Sequence, residues 1–425
     1  MIIHVVQRGE TTKSIAECYG ISEERLILEN NITNPNRLAI GEALVVLYPE
    51  ITYTVQDGDT LFGIADKNGV PVLQLLRNNP YLSDREYIFP GEKLVVKYVD
   101  EKIMTLATNG YAYPFIDRKT LKKTLPFLTY LTVFSYKVTA NGEILDVNDR
   151  DIIKMAKVYG VAPIMMLTAQ GENQSEEINV THAVLHSKHL QDMFLSQLLT
   201  ILKDKGYYGV NINTPYVIPE DRNHYEEFMK RFTSRMISEG FMVLNTLSLS
   251  AFEILTGTMY NGLEYEVLGK TADATMLISY EWGYTMGVPS GIAYYQTLEK
   301  LLNNMTELIP PEKLFIGESS IGYIWRLPYE AGVTKGLSIA YNTAIDVAYE
   351  YGAEIKYDDT TKSAYYQYIS ADEYMVRFRD ARSIAEFTKL VPSFGLKGVG
   401  SWNIMKFFPQ MWLVLNSQYN FEKVT

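Results

Sequence analysis

The spacing of hydrophobic positions changes near residue 102. Before it, short apolar runs and short amphipathic segments occur as two copies of one unit. His4-Val5-Val6-Gln7-Arg8-Gly9-Glu10-Thr11 is matched by Tyr53-Thr54-Val55-Gln56-Asp57-Gly58-Asp59-Thr60. Glu29-Asn30-Asn31 is matched by Arg77-Asn78-Asn79-Pro80, and Ile40-Gly41-Glu42-Ala43-Leu44-Val45-Val46 by Pro90-Gly91-Glu92-Lys93-Leu94-Val95-Val96. Each copy predicts a strand, a glycine turn, and a helix capped by Thr11 or Thr60, whose oxygen accepts from the first turn. A second helix ending at the asparagines and a closing strand complete each β-α-α-β unit.

After residue 102, longer apolar runs alternate with helical segments. The predicted strands are Ile103–Thr108, Leu131–Tyr136, Ala162–Leu167, Tyr208–Asn213, Met242–Leu247, Thr275–Glu281, Leu314–Ser319 and Gly398–Trp402. One helix is expected to start at Pro219-Glu220-Asp221, with proline and acids in its first turn. Another runs through Ala381–Phe387. Eight strand–helix repeats over some 320 residues predict an α/β fold, a (β/α)8 TIM barrel. The alternating aromatics of Ser363–Ile369 and Glu373–Phe378 predict a hairpin, hence a small α+β insertion at about 327–380. The expected domains are residues 1–49, 50–99 and 100–425.

Composition narrows the function classes. At 47% hydrophobic residues, the chain of 425 has ample material for a large core. A net charge of −11 argues against nucleic acid as a partner, because phosphates need a surplus of Lys and Arg. Cys18 is the single cysteine, so neither an internal disulfide nor a cysteine metal cluster is available. No segment approaches the roughly 20 apolar residues of a membrane span. Met1-Ile2-Ile3-His4 has no basic n-region, so no signal peptide is expected and synthesis is expected in the cytoplasm. His182 and His186 have helical i, i+4 spacing but no H-E-x-x-H context, so they are expected to be solvated or capping, with no metal and no cofactor.

The tandem repeat resembles a pair of LysM modules, a family that binds N-acetylglucosamine polymers such as chitin or peptidoglycan. The resemblance places the glycan grooves at Gly9, Thr11, Thr12 and Asn34 in the first module, and at Gly58, Thr60, Leu61 and Ser83 in the second. The region after residue 102 resembles glycoside hydrolase family 18. Tyr208-Gly209-Val210-Asn211-Ile212-Asn213-Thr214-Pro215 aligns with the family's D-G-x-D/N-x-D-x-E strand. Ser279-Tyr280-Glu281-Trp282, Gly322-Tyr323-Ile324-Trp325 and Gly398-Val399-Gly400-Ser401-Trp402 resemble its sixth, seventh and eighth strand motifs. They do so most in the spore cortex-lytic members that carry LysM modules. The resemblance implies substrate contacts at Asn213, Tyr280 and Glu281, a subsite floor at Trp402, and aromatic walls at Tyr111 and Tyr323.

On this alignment Tyr208, Asn213 and Pro215 stand where the family has Asp, Asp and its general acid Glu. The family's chemistry is substrate-assisted: the sugar's acetamido oxygen attacks, Glu protonates the leaving oxygen, and Asp steadies the oxazolinium ion. Strand alternation puts Asn211, Asn213 and Pro215 on one inward face. Glu318 is the candidate substitute acid, unless it forms an ion pair with Arg326 or Lys313; Glu220 and Asp221 are further candidates. Three readings follow: a glycan-binding protein with an inactive barrel, a hydrolase with a relocated acid, or a structural protein of a spore coat or wall. The partner implied by the first two is peptidoglycan or another N-acetylglucosamine polymer, met at the spore or cell wall.

Overall fold

The computed structural model describes residues 1–83, 85, 87–99, 101–213, 217–248, 265–278, 294–330 and 333–424. The first repeat folds as strand Ile2–Val5, helices Thr12–Tyr19 and Glu23–Asn30, and strand Ala43–Val46, with Ile2 opposite Val46. The second uses Pro49–Thr54, Leu61–Lys67, Val72–Asn78 and Lys93–Tyr98. The Thr11 and Thr60 hydroxyls accept from the amides of Ser14 and Gly63, each at 3.0 Å.

A buried asparagine closes each module, and its position refines the sequence alignment by one residue. The Asn30 side chain bonds both the N–H and the C=O of Val45, at 2.7 and 2.8 Å. Asn79, not Asn78, does the same for Val95, at 2.9 and 2.8 Å. Each carboxamide satisfies one donor and one acceptor that the closing strand would otherwise leave buried and unpaired.

Eight parallel strands form a closed TIM barrel: β1 (Met104–Ala112), β2 (Tyr130–Val138), β3 (Ala162–Ala169), β4 (Gly209–Asn213), β5 (Met242–Ser248), β6 (Ala274–Ile278), β7 (Leu314–Ser319) and β8 (Gly398–Trp402). The pairing of β8 with β1 closes it, with Gly400 opposite Asn109. Alternation divides the side chains into two cores. Ala107, Tyr111, Ile164, Leu244, Met276 and Phe315 fill the barrel interior. Leu131, Val210, Val243, Ile316 and Val399 face the surrounding helices. An antiparallel five-stranded sheet inserted between β7 and β8 contains the predicted hairpin. Its first strand begins at Ile321, earlier than expected, because the chain pairs with the insertion almost as soon as β7 ends.

The modules pack on the barrel rather than trailing from it. Arg25 of the first module donates to Asn79 Oδ1 and the Asn78 carbonyl of the second, at 3.0 and 3.1 Å. Asn416, on the last helix, donates to Asn78 Oδ1 at 2.9 Å. Ile355 N–H, in the insertion, donates to the Ile40 carbonyl at 2.9 Å. Gly41 lies in that seam with φ +83°, and a Cβ there would fall 1.9 Å from the Ile355 oxygen. A glycine is required on both counts.

Candidate functional site

In a TIM barrel the C-terminal ends of the strands form the mouth, where functional side chains gather. Trp402 ends β8 and points inward, half-buried on the interior core. Gly400, one inward position below it, lets the strand approach Met276, whose Cε would be 2.4 Å from a Cβ at that position. The Trp402 ring meets Phe134 edge-on at 4.9 Å, Tyr113 at 6.4 Å and Tyr111 at 5.5 Å. Tyr113 stacks on Phe115 at 5.2 Å, and Phe115 is 76% exposed. This aromatic group has a wet edge at Phe115 and an apolar base at Tyr111.

The expected wall at Tyr111 is corrected by its burial. It is 1% exposed, so it supports Trp402 from beneath and offers no free face. Its hydroxyl accepts from Asn211 Nδ2 at 3.3 Å. Burial pushes the phenol up to about 12, against hydrogen bonds from Thr246, Asn211 and Asn109. Tyr113, Phe115 and Phe134 went unnoticed in the sequence. The signal for Tyr113 and Phe115 was the alternation Tyr111-Ala112-Tyr113-Pro114-Phe115 running past the expected strand end.

At β4 the inward positions are amides. Asn211 is fully buried, and its Oδ1 accepts from Thr246 Oγ1 at 2.8 Å. Asn213 ends the strand, and its Oδ1 is buried without a hydrogen-bond partner among the described residues. Tyr208 precedes the strand at the opposite end of the barrel, its ring tilted against Tyr130 at 6.5 Å. It therefore takes no part in the mouth. Pro215, Tyr280 and Glu281 lie outside the described residues. Tyr323 lies on the insertion strand Ile321–Leu327, half-buried, with Trp325 as its ring neighbour at 5.7 Å.

The substitute carboxylates are engaged elsewhere or remote. Glu318 shares the outward parity of Leu314 and Ile316 and is 2% exposed. Its Oε1 pairs with Arg379 Nε at 3.1 Å. The sequence named Arg326 or Lys313 as partner instead. Arg326 pairs with Asp372 at 2.9 Å, and Lys313 donates to the carbonyls of Lys270 and Ala272. The carboxylate is thereby tied to the insertion, on the outward side of β7. Asp221 is buried against His182 and His186. Burial pushes its carboxyl up, but the bonds from His186 and His182 prevail and hold it below its ordinary value. Glu220 is exposed in the short turn Pro219–Asp221.

In the modules, Gly9, Thr11, Asn34, Gly58 and Thr60 are exposed and Leu61 half-buried, as a groove needs. Thr12 and Ser83 are corrections, at 2% and 5% exposed. Thr12 donates to Glu23 Oε1 at 2.6 Å, tying the two helices together. Phe62, Tyr87 and Phe89, which no repeated motif marks, are 71%, 72% and 58% exposed in the second module. The first module has Lys13, Arg37 and Ala39 at the matching positions.

A profile of glycosyl hydrolases family 18 matches residues 97–406, and the LysM domain matches residues 4–46 and 53–97. The chain is 28% identical over 433 residues to a cortical fragment-lytic enzyme of Bacillus subtilis, covering all of both. It is 26% identical to a putative sporulation-specific glycosylase of the same organism, covering 97% of this chain and 98% of that one. The crystal structure of the spore cortex-lytic enzyme SleL of Bacillus megaterium QM B1551 superposes with a TM-score of 0.81 at 25% identity, covering 100% of this chain and 99% of that one. The chain belongs to glycosyl hydrolases family 18, with two LysM domains packed against its barrel.

Proposed function

We propose that this protein binds N-acetylglucosamine-containing glycan, of the peptidoglycan or spore-cortex class, without cleaving it by the family's ordinary route. The observation that carries the reading is the end of β4, where the side-chain oxygen of Asn213 is buried with no hydrogen-bond partner among the described residues, at the same end of the barrel as Trp402. An amide oxygen of this kind accepts an N–H, which the acetamido group of the sugar supplies. It carries no negative charge with which to offset an oxazolinium ion. Pro215, at the aligned position of the acid, has no proton to give. General acid catalysis alone contributes about 10² to 10⁴ in rate. Similarity to cortical fragment-lytic and sporulation-specific proteins supports spore cortex as the polymer and the spore or wall as the place.

The test measures binding and turnover together, with soluble N-acetylglucosamine oligomers and cortex fragments. The expected result is saturable binding with no release of reducing ends. Turnover that disappears in Glu318→Gln while circular dichroism shows the variant still folded would establish a relocated acid. Turnover that survives it would place the chemistry elsewhere in the mouth. Either outcome overturns the non-cleaving reading.

A further inference from the structure

Two histidines and an aspartate converge between adjacent helices on the barrel's exterior. The helix Gln174–Leu185 carries His182, and His186 is its C-cap. Helical spacing of i, i+4 puts both imidazoles on one side. Asp221 closes the turn Pro219–Asp221 and immediately precedes the helix Arg222–Ser238, whose amides its side chain does not cap. His182 Nδ1 lies 2.9 Å from both oxygens of Asp221, and His186 Nε2 lies 2.7 Å from Oδ1. One ligand atom from each residue lies within 4.8 Å of the others. His224 stacks on His186 with ring centroids 4.0 Å apart.

We propose that His182, His186 and Asp221 form a binding site for a divalent transition-metal ion of the zinc type. Imidazole with carboxylate suits zinc, copper and nickel, whereas calcium and magnesium prefer all-oxygen shells. Zinc bonds of about 2.0 to 2.2 Å place tetrahedral ligand atoms about 3.3 Å apart. The nitrogens facing Asp221 therefore have to move out by about half an ångström, and ligand atoms as much as 4.8 Å apart have to close by up to about 1.5 Å. The histidine side chains are 51% and 39% exposed and have room to rotate, while Asp221, 2% exposed, holds its place. On binding, each neutral imidazole turns a lone pair toward the ion and carries its proton on the other ring nitrogen. Water takes the remaining position.

The ion would pin the helix Gln174–Leu185 to the segment leading out of β4. Val180, Thr181 and Val184 of that helix line the same small cavity as Asn213. The sequence displayed the two histidines as a pair but not Asp221 as their partner, since it lies 35 residues beyond His186 and meets them only once the chain has folded.

The full chain, stripped with chelator, is titrated with Zn²⁺ by calorimetry and with Co²⁺ by visible absorption. One equivalent is expected to bind with micromolar or tighter Kd, giving cobalt bands without thiolate charge transfer. His182→Ala with His186→Ala is expected to weaken binding by roughly a hundredfold or more while circular dichroism stays unchanged. Asp221→Asn is the second variant. Binding no tighter than millimolar, or equal affinity in the double-histidine variant, would overturn the proposal. So would a site lost in Cys18→Ser, because Cys18 is an exposed thiol.

Discussion

Replacing Glu42 with glutamine removes a buried charge and leaves its surroundings the same shape. Glu42 lies in the first LysM module at 6% exposure, and its Oε2 accepts from Ala39 N–H at 3.1 Å. Burial pushes the carboxyl up to about 7 from an ordinary 4.5; the Ala39 bond opposes the rise and Asp346 of the insertion adds to it. A gap of about 2.5 units corresponds to about 3 kcal/mol. The folded pKa lies above the unfolded one, so the associated stability is complete below about pH 4.5 and is lost as pH rises through about 7. Glutamine keeps the acceptor and never ionises. Glu42→Gln is therefore expected to match the parent near pH 4.5 and exceed it by up to about 3 kcal/mol at pH 8. Lys423 runs the opposite way. Burial beside Arg77 lowers it to about 7, so its share of stability is lost as pH falls from about 10.5 toward 7. Only the difference between parent and variant isolates Glu42. Urea unfolding of both proteins between pH 4.5 and 8, followed by tryptophan fluorescence, provides it. Parallel pH profiles, or a variant less stable at pH 8, would refute the buried-charge argument.

Further expectations concern the site and the docking. Trp402→Ala should weaken binding of soluble oligosaccharide by roughly tenfold or more, about 1.4 kcal/mol, measured by calorimetry on the full chain. Phe62→Ala with Tyr87→Ala should reduce retention on insoluble wall more than Lys13→Ala with Arg37→Ala, because only the second module exposes aromatics; sedimentation assays decide. Gly41→Ala should cost more than about 1 kcal/mol in unfolding experiments, since the positive φ and the Ile355 oxygen both oppose a side chain. Glu318→Gln should lower stability by about 3 kcal/mol, because it removes the anion paired with Arg379 in a buried seam.

The eight barrel strands were legible because each is a long apolar run separated by helical segments. Those boundaries agree with the structure best at β7 and β8 and worst at β1, where Gly110-Tyr111-Ala112 extends the strand to the mouth. The module repeat was legible from motifs recurring in register, but only the Asn79 hydrogen bonds fixed the equivalence with Asn30. Trp402 was found through a motif. The aromatics around it were not, because Phe134 belongs to a different strand and meets Trp402 only when the barrel closes.

By itself the sequence determined the two modules, the barrel, and the amides Asn211 and Asn213 on β4, because repeats, periodicity and residue identity are local properties. Which side chains face the mouth was decided by the tertiary structure. Strand closure and parity sent Glu318 outward to Arg379, buried Tyr111 beneath Trp402, and left the Asn213 oxygen without a partner among the described residues. Helix packing brought Asp221 to His182 and His186. A carboxylate's chemistry depends on the charges and solvent around it, and the chain acquires those surroundings only when distant segments pack together.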